Sequence, residues 1–425
     1  LLLALGLCAL VRMPAAEGQT ADGFRSFVEA LRPEAEAKGI SRATFDAAFK
    51  GVAPDLSLPD LVLPDRPRSD SKGQAEFTRT PAEYLDTGQL ARLAGEGKAL
   101  LVKHREALER IEREIGVPRQ IVLAIWGRES AFRTPHSPHY AIRVLATQAW
   151  TGRRKEMFRN ELIHALKLLE DGIRTREGMT SSWAGAMGLT QFMPSEYYSL
   201  AYDLDGDGRK DIWGSVPDAL ASAANQLRGR GWVAGQTWGY EVRLPAGASC
   251  LLEGPPNAKK VRDWVKLGVV RVKNRPFPAE ALDQEAFILT PGGSHGPAFL
   301  ALENYMVIKR YNMSDLYALF VGNLADRIGG GGDFHARWGT VRQLSARGIE
   351  EIQRRLGERG YAIAKIDGKA GMNTRALIGA YQKRSGLEVD CWPSEALLAS
   401  LRGGSRGKRE ARPPAGKDKS ASGAD

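Results

Sequence analysis

Sulfur is scarce in this chain, with three cysteines among 425 residues. Cys8 lies in the apolar start, so Cys250 and Cys391 form one pair at most, and their spacing does not decide whether they bond. Two thiols cannot build a disulfide framework or a cysteine-rich zinc site. Long apolar runs are scarce as well. Leu1–Val11 is apolar but short of the roughly 20 helical residues that cross a bilayer, and nothing later resembles a second span. Charge of one sign is only mildly in excess: 60 Lys and Arg against 50 Asp and Glu, a net +10 at pH 7. Arg402–Asp425, rich in Gly, Ser, Pro and Lys, holds seven basic residues against three acidic ones and reads as a disordered tail. The remaining bias suits nucleic acid, anionic lipid or an anionic polymer such as a cell wall, and selects none of them. Hydrophobic residues at 43% and charged residues at 26% are ordinary for a soluble globular protein, and the length allows two or more domains.

The punctuation of the chain predicts its organisation. Residues 1–20, LLLALGLCALVRMPAAEGQT, read as the apolar and cleavage regions of a signal peptide whose basic start is missing, which predicts export. Leu7 is bulkier than a lipoprotein signal permits before its cysteine, so lipid anchoring through Cys8 is not expected. Residues 21–328 form a mainly helical region, interrupted by the proline-rich PDLSLPDLVLPDRPRSD at Pro54–Asp70. Alternation in YEVRLPAG and GVVRVK predicts a small strand element between Val242 and Val272. Residues 329–340 hold GGGGDFHARWG, a glycine-rich linker expected to act as a hinge. Residues 341–401 form a compact helical block, followed by the basic tail at 402–425.

Within IVLAIWGRESAFRT, Val122, Ile125 and Trp126 fall at helical spacing, with Pro118 just upstream where a first turn tolerates proline. Glu129 meets the same stripe four residues after Ile125. A charged carboxylate on an apolar stripe is costly, so Glu129 must be paired, protonated or near water. One reading makes it a helix-end partner of Arg128 or Arg133. The other makes it a proton donor in a partly apolar cleft.

Four further stretches carry chemistry. In SSWAGAMGLTQFMPSEYY, Ser182 and Gln191 are neutral hydrogen-bonders amid Trp183, Met187, Phe192 and Met193. That mixture suits a sugar cleft, or a tight helix corner. Gly178–Ser195 contains no Asp or Glu, so it supplies no second carboxylate. In YDLDGDGRKDIWGSVPDAL, Asp203, Asp205, Asp207 and Asp211 occupy positions 1, 3, 5 and 9 of a calcium loop. Gly208 sits at the turn and Arg209 offers its carbonyl, but Gly214 replaces the closing glutamate and Asp218 is the candidate substitute. The same acidic turn without an ion is the other reading. Tyr311, Asn312 and Tyr317 stand near the start of an amphipathic helix, where tyrosines are often half-buried core residues. Arg153 and Arg154 bind a carboxylate or simply solvate a helix start.

The order GRES, GAMGLTQFMPS, DLDGDGRKDIW, KRYN resembles lytic murein transglycosylases of the membrane-bound lytic transglycosylase B type, glycoside hydrolase family 103, over about Ala21–Ile328. The resemblance implies a mainly α, lysozyme-like catalytic domain with small strand elements. It implies one catalytic glutamate, Glu129, hydrogen-bonded by Ser182. Gln191, Tyr311, Asn312 and Tyr317 match groups lining the cleft, and Arg153 and Arg154 match a peptide-side arginine pair. The acidic loop matches a structural Ca²⁺ site of Asp203, Asp205, Asp207, the Arg209 carbonyl and Asp218. Gln226 is a departure, standing where many members carry an aromatic residue. Glu350–Asp390, with IQRRL, GY, DG, TRALIGAYQ and GLEVD in order, resembles the peptidoglycan-binding type 1 module, a small three-helix domain. The implied partner is a peptidoglycan glycan strand in the periplasm, with envelope association, and not nucleic acid.

Most glycosidases use two carboxylates. The implied reaction needs one, because the muramic acid residue attacks itself and forms a 1,6-anhydro ring. A hydrolysing muramidase and a non-catalytic wall-binding scaffold are the competing readings.

Overall fold

The computed structural model describes residues 21–63, 78–133, 138–245 and 249–403. The signal-peptide reading, part of the proline-rich segment and the tail beyond Gly403 lie outside the described residues. Helices come first in chain order as α1 (Ala21–Ala37), α2 (Arg42–Phe49), α3 (Pro81–Tyr84), α4 (Thr87–Lys103), α5 (Arg105–Ile115) and α6 (Arg119–Ser130). Next are α7 (Ala141–Thr151), α8 (Lys155–Glu170), α9 (Pro194–Leu200), α10 (Val216–Gly229) and α11 (Val261–Lys266). Last are α12 (Glu303–Tyr311), α13 (Asp315–Ile328), α14 (Ala346–Glu358), α15 (Met372–Arg384) and α16 (Glu395–Gly403). None of the described helices is long and apolar enough to cross a membrane.

The described residues fall into two compact units, those within Leu1–Ser69 and Phe132–Ser222, and those within Asp70–Ala131 and Ala223–Asp425. The first is built on the apolar faces of α1, α2, α7 and α8. Phe24, Leu31, Phe45, Ile142, Leu145, Phe158 and Leu162 bury there with Phe192 and Ile212. Ser41 caps α2 by accepting from Thr44 N at 3.2 Å, and Glu170 at the end of α8 accepts from Ser41 N at 2.9 Å. Such a cap satisfies a backbone donor that the helix itself cannot. A two-stranded ribbon, β1 (His139–Tyr140) with β2 (Thr180–Ser181), leads into the glycine-rich stretch.

The second unit holds a larger sheet than the alternation predicts. Its strands are β3 (Gly239–Arg243), β4 (Lys259–Lys260), β5 (Val270–Arg271), β6 (Glu285–Leu289) and β7 (Ala298–Ala301), in the order β4-β6-β7-β3-β5. Every pairing is antiparallel. The expected pair is present, with Val242 opposite Arg271. Strands β6 and β7 were not anticipated, because EAFIL and AFLA are short apolar runs that fit a strand or a buried helix equally. Val242, Ile288 and Leu300 pack with Val261 and Trp264, whose Nε1 donates to Ala286 O at 2.8 Å.

The glycine-rich linker differs from the hinge expected. Phe334 lies edge-on to Phe299 at 4.9 Å, and the His335 and Ala336 amides donate to Glu241 at 2.8 and 2.7 Å. Trp338 fills space left by Gly296, where an added Cβ would lie 2.4 Å from the ring. Aromatic anchors and charge-assisted hydrogen bonds therefore hold the segment down despite its glycines.

Beyond it, α14, α15 and α16 form the three-helix block around Ile349, Ile352, Leu356, Ile378, Leu397 and Leu401. Arg402, read as the first residue of the tail, belongs to α16 and pairs with Glu351 at 2.5 Å. Cys250 and Cys391 form a disulfide, closing a loop 141 residues apart in sequence. A loop of that length makes the bridge worth roughly 2–5 kcal/mol in the usual chain-entropy account.

Candidate active site

Helix α6 carries Glu129. Rather than showing one apolar stripe, it is buried on all sides from Ile121 to Gly127, and half-exposed at Arg119 and Gln120 in its first turn and at Arg128, Glu129 and Ser130 in its last. The stripe was the visible part of a core helix. Ala131 ends it in the left-handed region at φ 51°, where a residue with a Cβ is strained. Glu129 thus sits at the negative end of the helix macrodipole, which works against its charge.

Its carboxylate accepts from the Tyr317 hydroxyl at 2.5 Å, across 188 residues of sequence. Tyr317 is 1% exposed on α13, and burial, followed by the nearby Glu129 charge, lifts its phenol well above the ordinary value. It therefore remains a neutral donor at any physiological pH. Tyr311 stacks on it with ring centres 6.3 Å apart and planes within 11°. The Arg230 guanidinium lies 5.7 Å from the Tyr311 ring. Asn312 follows as the C-cap of α12.

Arg128, one of the two arginines weighed as a partner of Glu129, also binds Tyr84. Its Nε and Nη2 donate to Tyr84 Oη at 2.9 and 2.6 Å, and its guanidinium lies over the Tyr84, Phe320 and Tyr317 rings at 5.0, 5.3 and 5.8 Å. Burial opposes its charge, but Tyr84 and then Glu129 outweigh it, so its pKa is raised. Tyr84 and Arg230 gave no sign in sequence. They are 45 and 101 positions from Glu129, and only the fold brings them to the aromatic cluster.

Ser182, Gln191, Arg153, Arg154 and the acidic loop belong to the first unit. Ser182 Oγ accepts from Ala184 N at 3.3 Å and Ala186 N at 3.1 Å, which fixes a tight turn. Two glycines make that turn possible. A Cβ on Gly185 would lie 2.3 Å from Leu145 Cδ2, and one on Gly188 would lie 2.6 Å from the Ile212 carbonyl, while both have positive φ. Gln191 is also left-handed at φ 58°, its Nε2 donating to Gly188 O at 3.1 Å. The buried Glu161 steadies the exit by accepting from Ser195 N at 2.9 Å and Ser195 Oγ at 2.7 Å. Arg153 and Arg154 both lean on Asp60, at 3.3 and 4.0 Å, and remain about half exposed. Beside them lies a cavity of about 930 Å³ whose wall includes Val62, Trp150 and Met157. Gln226, the departure noted above, is 2% exposed within α10.

In the acidic loop, Asp203, Asp205 and Asp218 each offer an oxygen within 4.8 Å of the others. Asp203 also accepts from Gly206 N and Gly208 N at 2.6 and 2.9 Å. Asp218 is 1% exposed and accepts from Leu204 N at 2.8 Å and Asp211 N at 3.0 Å. Burial raises its pKa, and the neighbouring Asp205 adds to that. Asp207 accepts from Arg209 N at 2.8 Å, and Asp211 accepts from Trp213 N and Gly214 N at 3.0 and 2.9 Å. Hard carboxylate oxygens packed this closely repel one another and fit a hard cation such as Ca²⁺.

The family model described as transglycosylase SLT domain matches residues 23–326, and a peptidoglycan binding domain model matches residues 345–401. Membrane-bound lytic murein transglycosylase B of Escherichia coli is 30% identical over 227 residues, which is 53% of this chain and 61% of that protein. The chain thus spans under two thirds of that relative's length. Crystal structures of SltB3 from Pseudomonas aeruginosa, in complex with NAG-anhNAM-pentapeptide and with NAG-NAM-pentapeptide, are 42% identical with a TM-score of 0.80. They cover 89% of this chain and 99% of theirs. The Escherichia coli lytic transglycosylase Slt35 in complex with calcium is 25% identical with a TM-score of 0.56, over 72% of this chain and 92% of its own. With the transglycosylase match covering most of its length, the chain belongs to the transglycosylase SLT domain family and carries a peptidoglycan binding domain at residues 345–401.

Proposed function

We propose that the chain cleaves the β-1,4 bond between N-acetylmuramic acid and N-acetylglucosamine, leaving 1,6-anhydromuramic ends. The observation that carries this reading is the Glu129 carboxyl, at the end of a buried helix and fixed by a neutral phenol at 2.5 Å. Glu129 donates its proton to the leaving oxygen and becomes a carboxylate. The 2-acetamido group of the muramic acid stabilises the cationic C1 meanwhile. The carboxylate then takes the proton of the C6 hydroxyl as that oxygen bonds to C1, and Glu129 ends as it began. An attached hydroxyl needs far less positioning than a free water, which favours the intramolecular step. A bound NAG-anhNAM-pentapeptide in the similar SltB3 supports this product.

In this reading Ser182 supports the acid step, and Gln191, Tyr311 and Asn312 contact the sugars. Arg153 and Arg154 meet the peptide stem's carboxylates beside the cavity at Trp150. The C-terminal domain holds the wall, raising local substrate concentration. Such a substrate places the protein in the envelope after export. Purified sacculi test the reading. Soluble muropeptides lighter by one water than reducing-end products are expected, and ordinary reducing ends alone would make the protein a muramidase.

Ca²⁺ is the ion proposed for the acidic loop, held by Asp203, Asp205 and Asp218, with Asp207 and the Arg209 carbonyl completing the set. Its role is structural: it neutralises packed carboxylates and stiffens the loop. Saturating Ca²⁺ is expected to raise the thermal midpoint by about 5 °C over the chelated protein, the size of shift that a few kcal/mol of linkage gives a large domain. Asp205→Ala is expected to remove that increment. An equal midpoint for wild type with Ca²⁺ and with chelator leaves only the hydrogen-bonded turn.

A further inference from the structure

Three charged side chains are buried together where the C-terminal domain meets the helix that carries Tyr317. Arg375, on α15, is 3% exposed, Glu253 is 2% exposed and Asp315 is 7% exposed. Arg375 Nε and Nη2 donate to Glu253 at 3.0 and 2.6 Å, and Nη2 also donates to Asp315 Oδ2 at 3.0 Å. Its Nη1 donates to Ala370 O at 2.7 Å. The Met372 amide, at the start of α15, donates to Asp315 as well, at 3.2 Å, and Lys309 pairs with the other Asp315 oxygen at 2.5 Å. Two carboxylates thus face two cations, with backbone donors around them. The Cys250–Cys391 disulfide joins the same surfaces three residues before Glu253.

A domain that only tethers substrate needs no such cluster. Apolar side chains would hold the same surfaces at least as well, since desolvation offsets much of the attraction in a buried ion pair. What a bidentate arginine adds is geometry, because its planar fork accepts a carboxylate in one orientation. Asp315 is the first residue of α13, and its carbonyl also accepts from the buried Tyr305 hydroxyl at 3.0 Å. Tyr317, two residues along in the same turn, has its amide bonded to the Ser314 cap at 3.3 Å and its hydroxyl on Glu129. A side chain that fixes Asp315 therefore fixes the turn that aims Tyr317.

We propose that Arg375 is a positioning residue for the lytic reaction: from the C-terminal domain it holds Asp315, and through it the first turn of α13, so that Tyr317 meets Glu129. The inference rests on Glu129 and Tyr317 acting as described above. It makes the C-terminal domain part of the catalytic apparatus as well as a wall anchor.

The test is turnover of short, soluble, uncrosslinked glycan strands, on which wall anchoring has little to act. With the full chain, Arg375→Met is expected to lower kcat about tenfold or more with KM within about twofold, the pattern of a lost transition-state interaction. Pelleting with sacculi is expected to be retained, and Arg375→Lys to recover part of kcat. Asp315→Asn keeps the shape and the amide contacts, so it carries the test if Arg375→Met does not fold, and it is expected to show the same loss in kcat. On a Tyr317→Phe background either substitution is expected to cost less than threefold, because the group it positions is gone. An unchanged kcat, or a loss as large on the Tyr317→Phe background as with Tyr317 in place, overturns the proposal. Glu129→Gln run alongside separates the two claims: activity without that acid overturns the proposed chemistry, whatever the Arg375 variants do.

Discussion

Glu129→Gln is expected to cut the release of soluble muropeptides from sacculi by about a thousandfold or more while leaving sacculus binding intact. General acid–base catalysis by one group is typically worth about 10²–10⁴ in rate. In the proposed reaction one side chain performs the acid and the base step, which puts the expected loss in the upper part of that range. Glutamine keeps the size of the residue, and its carbonyl still accepts from the Tyr317 hydroxyl that holds Glu129 at 2.5 Å. The helix beneath is buried from Ile121 to Gly127 and is untouched by the change. Thermal unfolding and pelleting are therefore expected to match the wild type. Lysis within tenfold of wild type would mean that another group donates the proton.

Tyr317→Phe carries the next largest effect. It deletes one hydroxyl and keeps the ring that stacks on Tyr311 and lies below Arg128. A hydrogen bond to a charged group contributes roughly 1.5–3 kcal/mol, so kcat is expected to fall by about 10- to 150-fold on the usual rate scale. The loss belongs in kcat because the hydroxyl faces the group that changes charge in the proposed reaction. Burial keeps that phenol protonated, so the difference between variant and wild type should persist across neutral pH. A raised KM with kcat preserved would make Tyr317 a wall of the cleft only.

What the sequence revealed follows from the range over which each feature is encoded. The α6 helix was legible because Val122, Ile125 and Trp126 repeat within one turn of each other. The acidic loop was legible for the same local reason, since a calcium loop writes its ligands at fixed short offsets. Tyr317 stood out in sequence only as a tyrosine at a helix start, and its link to the cleft came through resemblance to a known family. Nothing near Glu129 points to a phenol 188 residues away. Tyr84 and Arg230 had no such help and were missed.

The remaining surprises depend on tertiary packing. Gly329–Gly339 reads as a hinge because glycines free the backbone, yet Phe334 and Trp338 anchor it in spaces that other parts of the chain provide. The Cys250–Cys391 bond and the Arg375–Glu253 pair join residues more than 100 positions apart, where spacing carries no information. Strands β6 and β7 lack polar alternation because four of the five β6 residues and three of the four in β7 are buried.

The single-carboxyl, self-attacking reaction is tested most directly by digesting sacculi in oxygen-18 water and analysing the released muropeptides by mass spectrometry. Because the C6 hydroxyl and not solvent closes on C1, the predicted products are anhydro ends that carry no heavy oxygen. Reducing ends labelled with oxygen-18 as the main product would contradict the mechanism.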